Sequence, residues 1–228
     1  MKISIIVPIF NEEITVGKIL PRIISQKNIF EIIVVDDGST DSTPKILKKL
    51  NQKKDFKKIL KIITHKSNHG KGYAIRTGMA IANGDYILIQ DGDLEYDPQD
   101  YTKLTKFITS DNCVFGSRIL AKNPYAYLRT YFGNRVVTAL CNFLFSSHLT
   151  DVYTCFKLIP RKFIKQMRLK STGFEIETEI TAKLLKNKIK ITETAISYHP
   201  RNYQNGKKIK TIDAVKGVLK LIQVRISD

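Results

Sequence analysis

The stretch LIQDGDLEYDP, residues 88–98, sets Asp91, Asp93, Glu95 and Asp97 at alternate positions behind an apolar run built like a buried strand. Carboxylates so arranged are ligands for hard cations. A calcium loop of the EF-hand kind is excluded: counting from Asp91, the sixth position needs Gly and is Tyr96, and the twelfth needs Glu and is Thr102. What remains is Mg2+ or Mn2+, held by one or two carboxylates and completed by substrate phosphates. Asp91 and Asp93 lean the same way from an extended backbone, and Gly92 between them leaves room for a bulky ligand. Asp97, followed by Pro98, reads as a helix N-cap with proline at the first helical position.

These acids belong to a basic chain, 228 residues with 38 Lys plus Arg against 21 Asp plus Glu and a net charge of +17. That charge draws phosphates, nucleic acid or anionic lipid without choosing among them. No RNP, zinc-finger or helix-turn-helix pattern accompanies the lysines, so nucleic acid is not an expected partner. A basic module for nucleic acid or membrane is the non-enzyme alternative. The lysines of KILKKLNQKKDFKKILK, 45–61, read as a solvated helix face. Cys113, Cys141 and Cys155 are odd in number and lack C-x-x-C spacing, which fits a reducing cytoplasm better than a disulfide framework. The four histidines, His65, His69, His148 and His199, have no zinc-site spacing. A secretory leader is not expected, because MKISIIVPIFNEE reaches Asn11 before an h-region could lead to a cleavage site. The longest apolar stretch, VVTALCNFLF, has ten residues and contains Asn142, whereas a bilayer span needs about 20.

The elements that must position the acids are legible as alternation. KISIIVPIF (2–10), EIIVVDD (31–37), KILKIIT (58–64) and DYILIQDGD (85–93) are β-branched runs ending in polar residues, and EEITVGKILPRIISQ and STPKILKKLNQ between them have helical spacing. Alternation predicts right-handed crossovers, a mainly parallel sheet and a crevice at the carboxyl ends of its strands. Asn11 with Glu12, Asp36 with Asp37, and Asp91 with Asp93 each follow a different strand and should converge there. Beyond residue 98 the pattern becomes mixed, with CVFGSR as a strand, YLRTYFGNRVVTALCNFLFS as a helix, CFKLIPRKFI, a helix through FEIETEITAKLLKNK and KITETAISYHP as a strand. The last stretch puts Ile212, Val215, Leu219, Ile222 and Ile226 on one helical face. NHGKGYAIRTG is neither common phosphate loop: a P-loop needs Ser or Thr where Gly72 stands, and a dinucleotide fingerprint needs Gly or Ala at Ile75.

SIIVPIFNEE, IIVVDDGSTDST, NHGKGYAIRTGMAIANGDYILIQDGDLEYDP and VFGSR follow one another in the order and spacing of family 2 inverting glycosyltransferases. The chain most resembles their dolichol-phosphate mannose synthase-like and polyprenyl-phosphate hexose synthase-like branch, strongly over residues 3–120 and more weakly through YHPRNYQNGKKI. The resemblance implies an α/β GT-A fold, a Rossmann-like, mainly parallel sheet flanked by helices. It implies a domain over 1–210, with a nucleotide-sugar half (1–120) and an acceptor half (121–210), and over 211–228 an amphipathic, membrane-interfacial helix. Asp91, Asp93 and Glu95 are implied as ligands of Mg2+ or Mn2+, with Glu95 standing where the branch usually has Gln. Asp37 is implied to read the nucleobase, with Pro8, Phe10, Glu12 and Val35 lining the nucleotide pocket and Lys71 and Arg76 near the donor. Asp91, Asp93 and Arg118 are the implied catalytic residues, Arg118 as a contact to the donor phosphates. Arg129, Arg135 and Arg201 are the implied holders of an acceptor phosphate; Arg129 and Arg135, six apart on one helix, could face one anion. The loop 198–211 resembles one that closes over the donor.

The acceptor decides the mechanism. A hydroxyl would need a general base, for which Asp151, Glu175 and Glu177 are the candidates. A phosphate monoester is ionised at neutral pH and needs only cations to hold it and stabilisation of the leaving group. Arg118, Arg129, Arg135 and Arg201, without an acidic pair at the usual base position, favour the phosphate. The expected activity is metal-dependent, inverting transfer of a hexose from a GDP- or UDP-hexose to a polyprenyl phosphate. The enzyme would sit peripherally on the cytoplasmic face of an anionic membrane. Transfer to a glycan or other hydroxyl is the alternative within the same fold.

Overall fold

The computed structural model describes residues 1–121, 123–125, 127–202 and 206–227, apart from the Thr211 side chain. Strand and helix alternate through the first half as β1 (Ile3–Ile9), α1 (Val16–Ile24), β2 (Ile29–Asp36), α2 (Thr43–Asn51), α3 (Lys54–Lys57), β3 (Leu60–Thr64), α4 (Lys71–Ile81) and β4 (Tyr86–Ile89). A 3-10 turn, Pro98–Asp100, runs into α5 (Tyr101–Thr105), and Asp97 caps it by accepting from Gln99 N at 3.0 Å. The second half runs β5 (Asn112–Ser117), α6 (Leu128–Phe145), β6 (Lys157–Pro160), α7 (Arg161–Met167), α8 (Ile176–Lys186), β7 (Lys190–Ala195) and α9 (Thr211–Ile226).

The described strands form one sheet in the order β3-β2-β1-β4-β6-β5-β7. β1 to β4 are parallel, as alternation requires, and β7 is parallel to β5. β6 enters between β4 and β5 antiparallel to both, so the sheet is mixed in its second half. β1, every residue of it buried, lies between β2 and β4 in register Ile6↔Ile33 and Ile6↔Ile89, which brings the ends of three parallel strands side by side. β4 is shorter than its sequence suggests, because after Gln90, whose N–H donates to Ile6 O at 3.0 Å, the chain leaves the ladder and carries its acids over the sheet end.

The main core lies on both faces of this sheet. A smaller one, made by Val137, Cys141, Leu149, Val152, Ala182, Leu221 and Val224, joins α6, α8 and α9. α9 turns Leu221 and Val224 inward, whereas Ile212, Val215, Leu219, Ile222 and Ile226 are all exposed, so the apolar stripe seen in the sequence is the outer face. α9 is seated on Tyr153, whose hydroxyl donates to Asp213 O at 2.9 Å.

Gly217 makes that seat possible. A Cβ there would stand 1.9 Å from the Tyr153 hydroxyl. Gly217→Ala should therefore destabilise the fold despite its better helix propensity, by about 1–3 kcal/mol of overpacking, or about 2–4 °C in Tm per kcal/mol. Tyr153→Phe in the same chain should recover part of the loss. A melt that rises in Gly217→Ala would contradict this seating.

Candidate active site

At the carboxyl ends of β1, β2 and β4 lies a cavity of about 440 Å3. Glu12, Asp37, Asp91 and Asp93 all line it, so the three strand ends do converge. Their neighbours Asn11 and Asp36 work beneath them: Asn11 Oδ1 accepts from Thr40 N at 2.8 Å and Asp36 Oδ1 from Ser39 N at 3.0 Å, fixing the turn after β2.

Apart from Asp37, whose partners are His65 and the backbone N–H groups of His69 and Gly70, each acid lining the cavity is met by a cation. Lys71, at the start of α4, places Nζ 2.7 Å from Asp91 and 2.9 Å from Glu177. Burial opposes the Lys71 charge, and Asp91 and Glu177 overcome it, holding the ammonium well above its ordinary value. Arg201 reaches Asp93 at 2.8 Å and grips Glu12 through both terminal nitrogens at 3.0 and 3.1 Å. Lys208 joins Glu12 at 2.6 Å and donates to Phe10 O. Burial pushes the Glu12 carboxyl up, but Arg201 and Lys208 outweigh it and hold it below the usual range. Asp93 is less well compensated: burial, then the charges of Asp91 and Glu95, push its carboxyl up to about 7.

Glu95 is turned away from this pair. Its carboxylate accepts from the Tyr198 hydroxyl at 2.9 Å and from Arg201 N at 2.7 Å, with Lys207 Nζ at 3.8 Å. It ties down the segment 198–208, of which Tyr203, Gln204 and Asn205 lie outside the described residues. Among the described residues no three His, Cys, Asp or Glu side chains are gathered to hold a metal. A hard cation held here would have two carboxylates, Asp91 and Asp93, and would complete its shell from phosphate oxygens and water.

Other expected residues separate into those the cavity gathers and those it does not. Pro8, Phe10, Arg118 and Arg129 line it; Val35, Arg76 and Arg135 do not. Val35 is core, and Arg76 stacks on Tyr73 and donates to Leu169 O at 3.2 Å. Arg135 is exposed elsewhere on α6, because six residues turn a helix about 600°, well off the face of Arg129. Arg118 spends Nε and Nη2 on Asp151, both at 2.7 Å, and lies over the Tyr198 ring. Gly92 has a packing role as well, since a Cβ there would be 2.8 Å from Ile9 Cγ1. Gly70 and Gly72 let α4 abut residues 171–173, where a Cβ would come within 2.5 Å of Thr172 O and 2.7 Å of Ser171 O. That glycine pair serves a backbone contact between the two halves of the chain.

Sequence reasoning missed the buried support of Lys71. Lys157, fully buried in β6, donates to Glu177 at 2.6 Å and to the carbonyls of Val152 and Thr154. Burial, relieved in part by Glu177, leaves its ammonium below the ordinary value. The signal was a lysine inside the strand-like run CFKLIP. Lys208 and Tyr198 were also missed, in a segment with no periodicity to mark them.

The profile of glycosyl transferase family 2 matches residues 4–168. An uncharacterised protein of Methanocaldococcus jannaschii, MJ0544, is 32% identical over 95% of this chain and 97% of its own. The dolichyl-phosphate beta-glucosyltransferase of Homo sapiens is 30% identical over 86% of this chain and 67% of its own. Other relatives are longer, the chain spanning 63% and 48% of two of them. Among solved structures, glucosyl-3-phosphoglycerate synthase from Mycobacterium tuberculosis, in complex with Mg2+ and uridine diphosphate, superposes with a TM-score of 0.73 at 17% identity, covering 100% of this chain and 80% of that one. The fold is that of the GT-A glycosyltransferases.

The crowding at Asp93 has a stability consequence. A carboxyl raised to about 7 on folding, from about 3.9 when unfolded, contributes stability that is full below the unfolded value and lost as pH rises through 7. With chelator present, Asp93→Asn should melt a few degrees above the parent at pH 8, at about 2–4 °C per kcal/mol, and the gap should narrow as pH falls from 7 to 5. A variant that melts lower at pH 8 would contradict the crowding.

Proposed function

The chain belongs to glycosyl transferase family 2 and is a glycosyltransferase, and from that premise we propose that it transfers a hexose from a GDP- or UDP-hexose to a polyprenyl phosphate with inversion. One observation carries the choice of acceptor: of the three candidate general bases, Asp151 and Glu177 are paired with cations, and Glu175 does not line the cavity. Asp151 is bidentate to Arg118 and accepts from Asn134 at 2.8 Å. Burial raises its carboxyl, but Arg118 outweighs that and holds it below the usual range, which makes it a poor base. Glu177 is shared between Lys157 and Lys71. Glu175 accepts from the backbone N–H of Thr172 and Gly173 at 3.2 and 3.0 Å. A phosphate oxygen needs no proton removed, and cations suffice to hold it. The human relative, named a dolichyl-phosphate glucosyltransferase, supports the same class of acceptor.

Asp91 and Asp93 would hold Mg2+ or Mn2+, as the Mg2+-bound neighbour encourages. Such a cation would screen the charge that builds on the leaving nucleoside diphosphate. Lys71 and Arg201, which neutralise these acids in the structure, are placed to turn to the diphosphate oxygens. Arg118, fixed by Asp151, and Arg129 at the rim would orient the acceptor phosphate in line with the sugar.

A lipid acceptor requires a membrane. No described helix is long and apolar enough to cross one. Instead the outer face of α9 is apolar, and on α6, which shares a core with it, Leu128, Phe132, Val136 and Phe143 are 61–83% exposed. Arg129, Arg135, Lys216 and Arg225 flank these faces. Apolar faces rimmed by cations suit peripheral seating on an anionic bilayer, with the cytoplasmic face as the expected side.

Sugar transfer with Mn2+ should run to polyprenyl phosphate and not to free polyprenol or a saccharide; transfer to a hydroxyl would overturn the acceptor assignment. Asp91→Asn should lower kcat by at least about a hundredfold, on the scale of other charge-stabilising groups. Phe132→Ser with Leu219→Ser should abolish flotation on vesicles containing anionic lipid while leaving nucleotide binding intact; flotation unchanged in this variant would contradict the seating.

A further inference from the structure

We infer that Glu193 is a positioning residue for the acceptor phosphate: by gripping the backbone at Thr150 and Asp151, it sets the carboxylate that aims Arg118 and Asn134. The inference rests on the reading of Arg118 as a holder of that phosphate.

Glu193 stands in β7 beside Phe115 of β5. It is a carboxylate without a cation, since among the described residues no Lys, Arg or His pairs with it. Its partners are two consecutive backbone amides, Thr150 N donating to Oε2 at 2.7 Å and Asp151 N to Oε1 at 3.0 Å. Burial pushes the carboxyl above its ordinary value, those amides oppose the push, and the charge of Asp151 adds to it. Withdrawing an uncompensated charge from water is costly, so a charge at this position calls for a task that a neutral side chain would not perform. The two amides define that task. Each takes its own acceptor oxygen, whereas glutamine has one oxygen and would turn its NH2 against the other N–H donor.

The backbone fixed in this way leads directly to the cavity. Asp151, wholly buried, accepts from Arg118 N at 3.0 Å, from Arg118 Nε and Nη2 at 2.7 Å each, and from Asn134 Nδ2 at 2.8 Å. Arg118 and Asn134 both line the cavity, the first from the residue after β5 and the second from α6. Thr150 is tied to the same corner, its hydroxyl oxygen 2.6 Å from that of Ser117.

The hold of Asp151 on Nε and Nη2 fixes the plane of the guanidinium and leaves Nη1 unengaged by that carboxylate, as a donor for an anion. Rotation of Asp151 would swing this donor and the Asn134 amide together. Asp151 aims Arg118, and Glu193 aims Asp151.

Steady-state transfer to undecaprenyl phosphate with Mn2+, from UDP-glucose or GDP-mannose, tests this together with calorimetric binding of the matching nucleoside diphosphate. Glu193→Gln should raise the acceptor KM by about ten- to a hundredfold, the scale of a misplaced charge-assisted contact, and leave nucleotide affinity unchanged. In an Arg118→Ala background the same substitution should raise the acceptor KM by less, because residues acting through one contact are not additive. An unchanged acceptor KM in a folded Glu193→Gln protein would overturn the inference and leave the acceptor reading standing. So would a nucleotide affinity that falls as far as the acceptor KM rises, the mark of a residue serving only the fold. A parent that transfers to no polyprenyl phosphate would overturn both. Should Glu193→Gln fail to fold, Glu193→Asp, which keeps the charge but is too short to span both amides, takes its place with the same outcomes.

Discussion

Glu12, Asp91, Asp93 and Glu95 meet at the ends of two adjacent parallel strands, each largely withdrawn from water. Buried charge left without a partner costs several kcal/mol, so their compensation governs what surrounds them. Lys71 comes from the first turn of α4, and the strap 198–208 brings Arg201, Lys207 and Lys208 from the far side of the chain. Glu177 and Lys157 balance the charge of Lys71 from below. The start of α4, the packing of α8 and the path of the strap all answer to the same electrostatic demand.

That demand also separates the two halves of the chemistry. On the donor side, charges are arranged in contacts that a diphosphate and a cation could take over: ammonium and guanidinium groups against carboxylates, in a cavity open to solvent. Elsewhere, Asp151 and Glu177 are locked into ion pairs, and Glu175, which does not line the cavity, keeps one oxygen on two backbone amides. A site so built suits the proposed acceptor, which brings its own negative charge. The exposed faces of α6 and α9 supply the surface from which a lipid-borne phosphate would reach it.

The first half of the sheet was legible in the sequence because parallel strands have a simple signature. β-branched runs ending in Glu12, Asp37, Asp91 and Asp93 announce both the ladder and the convergence of its ends. Equally readable was Asp97, whose cap needs only its own turn. What stayed hidden depends on partners far apart in sequence. Glu95, which the resemblance placed with the metal ligands, holds a strap a hundred residues away. Arg76 and Val35 carry the right residue types but point into packing. The antiparallel insertion of β6 was unreadable for the same reason: a strand of only four residues, KLIP, fits either direction. The outer stripe of α9 was visible as a period, while its exposure depended on Gly217 and Tyr153 turning the other face inward.

We propose that protein cations hold these carboxylates until a divalent ion and a diphosphate replace them together. Titration of Mn2+ by calorimetry, with and without a saturating nucleoside diphosphate, tests it most directly. The account predicts weak Mn2+ binding alone and at least about tenfold tighter binding with the nucleotide, the two ligands being linked through the same side chains. Tight Mn2+ binding that the nucleotide leaves unchanged would contradict it.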